Sequence, residues 1–104
     1  FNTSGVIAIE NEGTITPSEY SLSQNYPNPF NPSTVISYQL PVTGNVKLSV
    51  FDILGNTVTI LVNSTKNAGN HNAEWNAANM PSGIYFYQLE AGAFISNKKM
   101  ILIK

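Results

Sequence analysis

The stretch "HNAEW", residues 71–75, holds the chain's one histidine and a carboxylate three positions on. With a serine nearby, these are the residue types of a nucleophilic hydrolase. On a strand, however, side chains three apart point to opposite faces, so His71 and Glu74 do not pair directly. A serine–histidine–acid triad built by distant residues stays open on spacing alone, but no motif announces one. The plainer place for His71 is the edge of a core beside Trp75. Metal chemistry has no better footing. There are no cysteines, and the carboxylates do not fall at a ligand spacing. Glu10 and Glu12 share a face only in an extended segment and read as solvated. Asp52 is explained as a turn residue accepting backbone N–H groups. Gly55, Gly69, Gly83 and Gly92 are isolated, so there is no phosphate-cradling loop. The expectation is that the chain is not an enzyme and holds no cofactor and no metal.

Two other residue classes remain. Trp75, Tyr85 and Tyr87 on a small β domain could form a flat platform for sugar rings. Tyr85 and Tyr87, however, fall in phase with Leu89 and Ala91, the more continuously apolar set, and Trp75 falls in phase with Ala73. The pattern therefore places all three in a core. The lysines of "SNKKMILIK" (96–104) surround an apolar run. On a strand Lys98 and Lys104 share one face and Lys99 takes the other. They either keep an edge strand soluble or offer handles to a protein that reads that strand.

The positioning elements follow from composition and period. A chain of 104 residues supports one domain. Charged residues are 11% of it, against roughly 25% in a typical soluble domain, and arginine is absent. Five lysines without a stripe, and a net charge of −1, argue against nucleic-acid binding. Low charge with many Asn, Ser and Thr suits an extracellular β domain. The longest purely aliphatic or Met runs, Val6–Ile9 and Met100–Ile103, are far short of the roughly 20 residues of a membrane-spanning helix. Residue 1 is Phe and no signal peptide is visible, so the chain reads as the tail of a longer protein.

Residues 1–19 are polar apart from Val6–Ile9 and read as a linker from an upstream domain. The four apolar residues could add a short edge strand or belong to that preceding domain. From Tyr20 onward the period is two. Ile36, Tyr38 and Leu40 alternate with Val35, Ser37 and Gln39; Val46, Leu48 and Val50 alternate with Lys47 and Ser49. This predicts strands with one buried face, near 20–24, 34–40, 46–53, 56–62, 70–76, 84–91 and 93–103. "DILGN" (52–56) closes a bulged hairpin, with Asp52 opening the turn and Gly55 at its left-handed position. "NSTKNAGN" (63–70) and "NMPSG" (79–83) read as loops, and "EAGA" (90–93) as a tight turn. The fold class is all-β, an immunoglobulin-like antiparallel β-sandwich of about seven strands over 20–104.

"QNYPNPFNPST" (24–34) has three prolines that forbid regular pairing. Each removes a ladder donor and holds its predecessor extended. The segment reads as a stiff crossover over the sandwich rim, with Phe30 and Tyr26 plugging the open end of the core.

Taken in order, "YSLSQNYPNPFNPSTVISYQLP" (20–41), "VKLSVFDILGNTV" (46–58), "AGNHNAEWNA" (68–77), "SGIYFYQLEAG" (82–92) and "KKMILIK" (98–104) resemble the type A C-terminal sorting domain of the type IX secretion system of Bacteroidetes and related phyla. The resemblance covers 20–104. The flagellar hook-capping immunoglobulin-like domain shares the DILG-type hairpin. The resemblance implies a non-catalytic seven-stranded sandwich that directs an N-terminally attached cargo through the periplasm and an outer-membrane translocon. It also implies removal, in many members, by a sortase-like protease at the cell surface. The family's signal falls here on Gly83, Tyr85, Lys98, Lys99 and Lys104. Asn76-Ala77 departs from a common Asp-Gly turn, and Phe51 replaces a common Tyr. The alternatives are a carbohydrate-binding module or a structural spacer appended to a secreted hydrolase.

Overall fold

The structure, a computed structural model, describes residues 17–104. Seven strands form two antiparallel sheets: β1 (Ser21–Leu22), β2 (Ser33–Leu40), β3 (Gly44–Phe51), β4 (Thr57–Lys66), β5 (Gly69–Asn76), β6 (Gly83–Ala91) and β7 (Phe94–Leu102). One sheet has the order β1-β2-β5 and the other β4-β3-β6-β7. This is the expected immunoglobulin-like sandwich. β4 pairs with β3 across the DILGN turn, and the chain then crosses to the other sheet at β5. The expected linker over 1–19, with the apolar run Val6–Ile9, lies almost entirely outside the described residues.

The alternating residues bury as a period of two requires. Ile36, Tyr38 and Leu40 from β2 face Val46, Leu48 and Val50 from β3 across the core. Tyr85, Tyr87, Leu89 and Ala91 from β6 and Met100 and Leu102 from β7 complete it. Each large side chain so buried contributes about 1.5–3 kcal/mol.

β4 does not alternate, and the register gives the reason. Leu48 pairs with Val62 but Ser49 with Ile60; Val50 pairs with Thr59 but Phe51 with Thr57. Leu61 and Val58 are thus extra residues in two bulges, each of which resets the inward phase. Val58, Leu61 and Val62 pack against the core as a result. The expected loop over 63–70 is corrected by the same element. β4 runs on to Lys66 and β5 begins at Gly69, so only Asn67 and Ala68 lie between the strands. Polar composition suggested a loop, but these residues sit on an edge strand whose side chains meet solvent on both sides.

The Pro-rich segment clasps the last strand. The Phe30 N–H donates to the Ile101 carbonyl and the Ile103 N–H to the Phe30 carbonyl, each at 2.9 Å. The Ile101 N–H donates to Asn28 Oδ1 at 3.0 Å, and Gln24 Nε2 donates to the Lys99 carbonyl at 2.7 Å. The segment therefore covers the otherwise unpaired outer edge of β7 from Lys99 to Ile103, a device that blunts strand addition there. Buried Asn25 and Thr34 hold the loop's shape. Asn25 Nδ2 donates to Thr34 Oγ1 at 2.9 Å and to the Pro27 carbonyl at 3.1 Å, and Thr34 Oγ1 donates to that same carbonyl at 2.9 Å. Phe30 is a core plug, as expected, with its ring tilted against Trp75 at 5.7 Å. Tyr26 is not. It is 81% exposed, because its backbone pairs with Val35 on the outer side of β2 and its ring is turned away from the core.

Candidate functional site

The five residues singled out at the closing hairpin do different jobs. Gly83 opens β6 opposite Leu102 with φ of 152°, a conformation that side chains with a Cβ rarely adopt. Tyr85 is buried, and its hydroxyl donates to the Pro81 carbonyl, four residues back, at 2.7 Å. This is the tyrosine corner of immunoglobulin-like sandwiches, a strut that fixes the loop entering β6. Its ring meets Trp75 edge-on at 5.3 Å. Burial, then the nearby Asp52 carboxylate, push its phenol above the usual range. The sequence offers only a partial signal, a tyrosine two residues into a strand after a Pro-Ser-Gly turn, and the hydrogen bond to Pro81 is what makes it a strut.

Lys104 closes on the same loop. Its backbone N–H donates to Ser82 Oγ at 3.0 Å and its ammonium to the Ala78 carbonyl at 2.6 Å. β7 stops at Leu102, two residues before Lys104, so Lys104 is held by this loop rather than by the strand's pairing. Lys98 is half-buried opposite Tyr87 at the sandwich margin, while Lys99 is exposed opposite Phe86 on the outer face. Gly83, Tyr85 and Lys104 are therefore brought together around the 77–82 loop. Lys98 and Lys99 stand apart from them on opposite faces of β7, and only Lys99 is exposed. The departure at Asn76-Ala77 is accommodated in that loop by an Asx turn, in which the Ala78 N–H donates to Asn76 Oδ1 at 2.9 Å.

The remaining candidates have structural partners. His71 lies half-buried at the core edge, but it stacks on Tyr38 at 5.4 Å rather than lying beside Trp75, because antiparallel pairing sets Tyr38 opposite it. Its Nε2 is 2.7 Å from the Asn67 carbonyl. Asp52 Oδ1 accepts the N–H groups of Leu54 and Asn56 at 3.0 and 2.9 Å, as a turn aspartate should. Among the described residues no three His, Asp or Glu side chains converge as metal ligands.

The sugar-platform alternative is answered by burial. Trp75, Tyr85 and Tyr87 are 6%, 3% and 0% exposed, so no ring face of theirs is available. The Tyr87 hydroxyl donates to the Ser23 carbonyl at 2.7 Å. Burial, opposed by the Asn25 backbone, pushes this phenol up to about 12. A half-open cleft of about 280 Å³ lies at the other end of the sandwich, between the β2–β3 and β6–β7 turns. Tyr20 supplies its one titratable side chain, and that ring is stacked on Phe94 at 5.1 Å.

The arrangement can present a surface but has no reactive centre among these residues. No curated protein matches the chain. The family model described as the secretion system C-terminal sorting domain matches residues 24–104, from the Pro-rich clasp through the strand it clasps. Such sorting domains are not catalytic. The chain therefore belongs to the secretion system C-terminal sorting domain family, the C-terminal sorting signals of type IX secretion.

Proposed function

We propose that residues 20–104 act as a folded address for an N-terminally attached cargo, with 1–19 as the linker between them. The outer-membrane translocon reads the β6–β7 ribbon after the module has folded in the periplasm. A sortase-like protease then cuts the linker before Tyr20 at the cell surface. Lys98 and Lys99 make the contact, while Gly83, Tyr85 and Lys104 hold the ribbon's base in shape.

One observation carries this reading. The matched region begins at the clasp, and the clasp's hydrogen bonds go to Lys99 and Ile101 in β7 and to Ile103 just past its end. The two ends of the matched region form one physical unit, centred on the strand that holds the lysines. The experiment places the full chain behind a periplasmic reporter in a host with type IX secretion. Deleting 93–104 abolishes export, and the fold-preserving pair Lys98→Ala/Lys99→Ala reduces it. Export of the truncated fusion at the level of the intact one overturns the reading.

A further inference from the structure

The outward faces of the two sheets differ in chemistry. The three-stranded sheet turns Ser37, Gln39, Asn72 and Glu74 outward with Val35 as the one aliphatic residue among them, and Ser37 Oγ donates to Asn72 Oδ1 at 2.7 Å. The four-stranded sheet is apolar at one end. Its cross-strand rows there read Phe51–Phe86–Lys99 and Ile84–Ile101. The inward neighbours of these residues fill the core, so this set faces away from it.

The β3–β4 turn leaves the sheet directly after Phe51. Its shape is held by Asp52, Gly55 and Asn56: Gly55 has φ of 89°, and its N–H donates to the Asp52 carbonyl at 3.0 Å. The two positions between need no apolar side chain, and turns usually fill them with Asn, Asp, Ser or Gly. Here they are Ile53 and Leu54, which are 66% and 82% exposed. A pinned, protruding aliphatic pair at the end of an apolar sheet face is the kind of exposed apolar surface that interaction sites use.

We propose that the Ile53–Leu54 tip and the adjoining Phe51–Phe86 face form a docking surface for a protein of the export machinery. That protein presents an apolar cleft for the tip and a carboxylate for Lys99. The proposal rests on the sorting reading above and adds the surface through which it works. Charge argues for the carboxylate. Lys99's neighbours on this face are Phe86 across the sheet and Asn97 and Ile101 along its own strand, none of them acidic. The same charges argue against a lipid surface. The patch has one lysine, Asp52 sits at the base of the tip, and the chain's net charge is −1, so an anionic membrane gains little from it.

The test uses the full chain as a reporter fusion, with Ile53→Asn/Leu54→Ser as the variant. Both side chains are exposed, so the thermal midpoint of the purified variant stays at the wild-type value. Export falls by about tenfold or more, the scale of removing anchor residues from an interface. Lys99→Glu lowers export in the same way, and Lys99→Arg, which keeps the charge, leaves it near the wild-type level. If the double variant folds poorly, Leu54→Ser alone decides the matter. Undiminished export by a folded tip variant overturns the proposal and leaves the sorting reading standing. Failure of the wild-type fusion to outperform the 93–104 deletion overturns the sorting reading itself. Tip-dependent binding of the purified chain to anionic vesicles also overturns the proposal, by making lipid the occupant.

Discussion

Phe30→Ala tests the clasp directly. The ring is 2% exposed and fills the rim between Trp75 and the end of β7. Removing a fully buried phenylalanine side chain forfeits about 2–3 kcal/mol of apolar burial. Its tilted contact with Trp75 adds about 0.5–1.5 kcal/mol. The expected loss is about 3–4 kcal/mol, within the range measured for such truncations. A domain of this size has about 5–15 kcal/mol of total stability, so the variant folds with little in reserve. The midpoint should fall by roughly 12–30 °C. Urea unfolding can be followed through Trp75, the single tryptophan, which contacts the deleted ring. Tyr26→Ala is the control from the same loop. Its ring is 81% exposed, and its loss should change stability by about 0.5 kcal/mol or less. A loss below about 1 kcal/mol for Phe30→Ala, or equal losses for the two variants, would refute the view that the Pro-rich segment is anchored through Phe30.

Three further outcomes follow from the geometry. Tyr85→Phe keeps the ring but deprives the Pro81 carbonyl of its 2.7 Å partner; it should cost about 1 kcal/mol by denaturant titration, and a neutral result would remove the tyrosine corner as a strut. Gly83→Ala and Gly44→Ala both add a Cβ that meets nothing within 4 Å, yet only Gly83 has a positive φ, of 152°. The first should lose about 1–2 kcal/mol and the second almost nothing, and equal losses would show that backbone strain is not the cause. Burial pushes the Tyr87 phenol up to about 12, from the ordinary phenol value of about 10. The unfolded chain therefore releases this proton first, so stability is retained below about pH 10 and declines as pH climbs toward about 12. Tyr38 and Tyr85, raised by burial too, act in the same direction. Midpoints measured from pH 8 to 12 should show the decline, and Tyr87→Phe should flatten it; an unchanged slope in that variant would discount Tyr87 as its source.

Alternation made β2, β3 and β6 legible, because each has one face in the core and one in solvent. β4 hid its inward phase behind two bulges, which no local pattern announces. Its polar C-terminal half passed for a loop, since an edge strand with both faces wet has a loop's composition. The site was legible in kind but not in detail. The terminal block drew attention to Gly83, Tyr85 and the lysines, yet a tyrosine in a strand reads the same whether it is a strut or a contact. The hydrogen bond to Pro81 separates the two.

Composition and period by themselves determined the class of fold, the inward side chains of β2, β3 and β6 and the shape of the DILGN turn, because each depends on residues within a few positions of one another. The motif order determined the family. Only the tertiary structure decided that residues 24–30 lie along 99–103, that Tyr26 faces out while Phe30 faces in, and that Lys104 belongs to the 77–82 loop. Those contacts join residues more than 20 positions apart, or depend on which side of the chain faces the core, and strand period has no information about either.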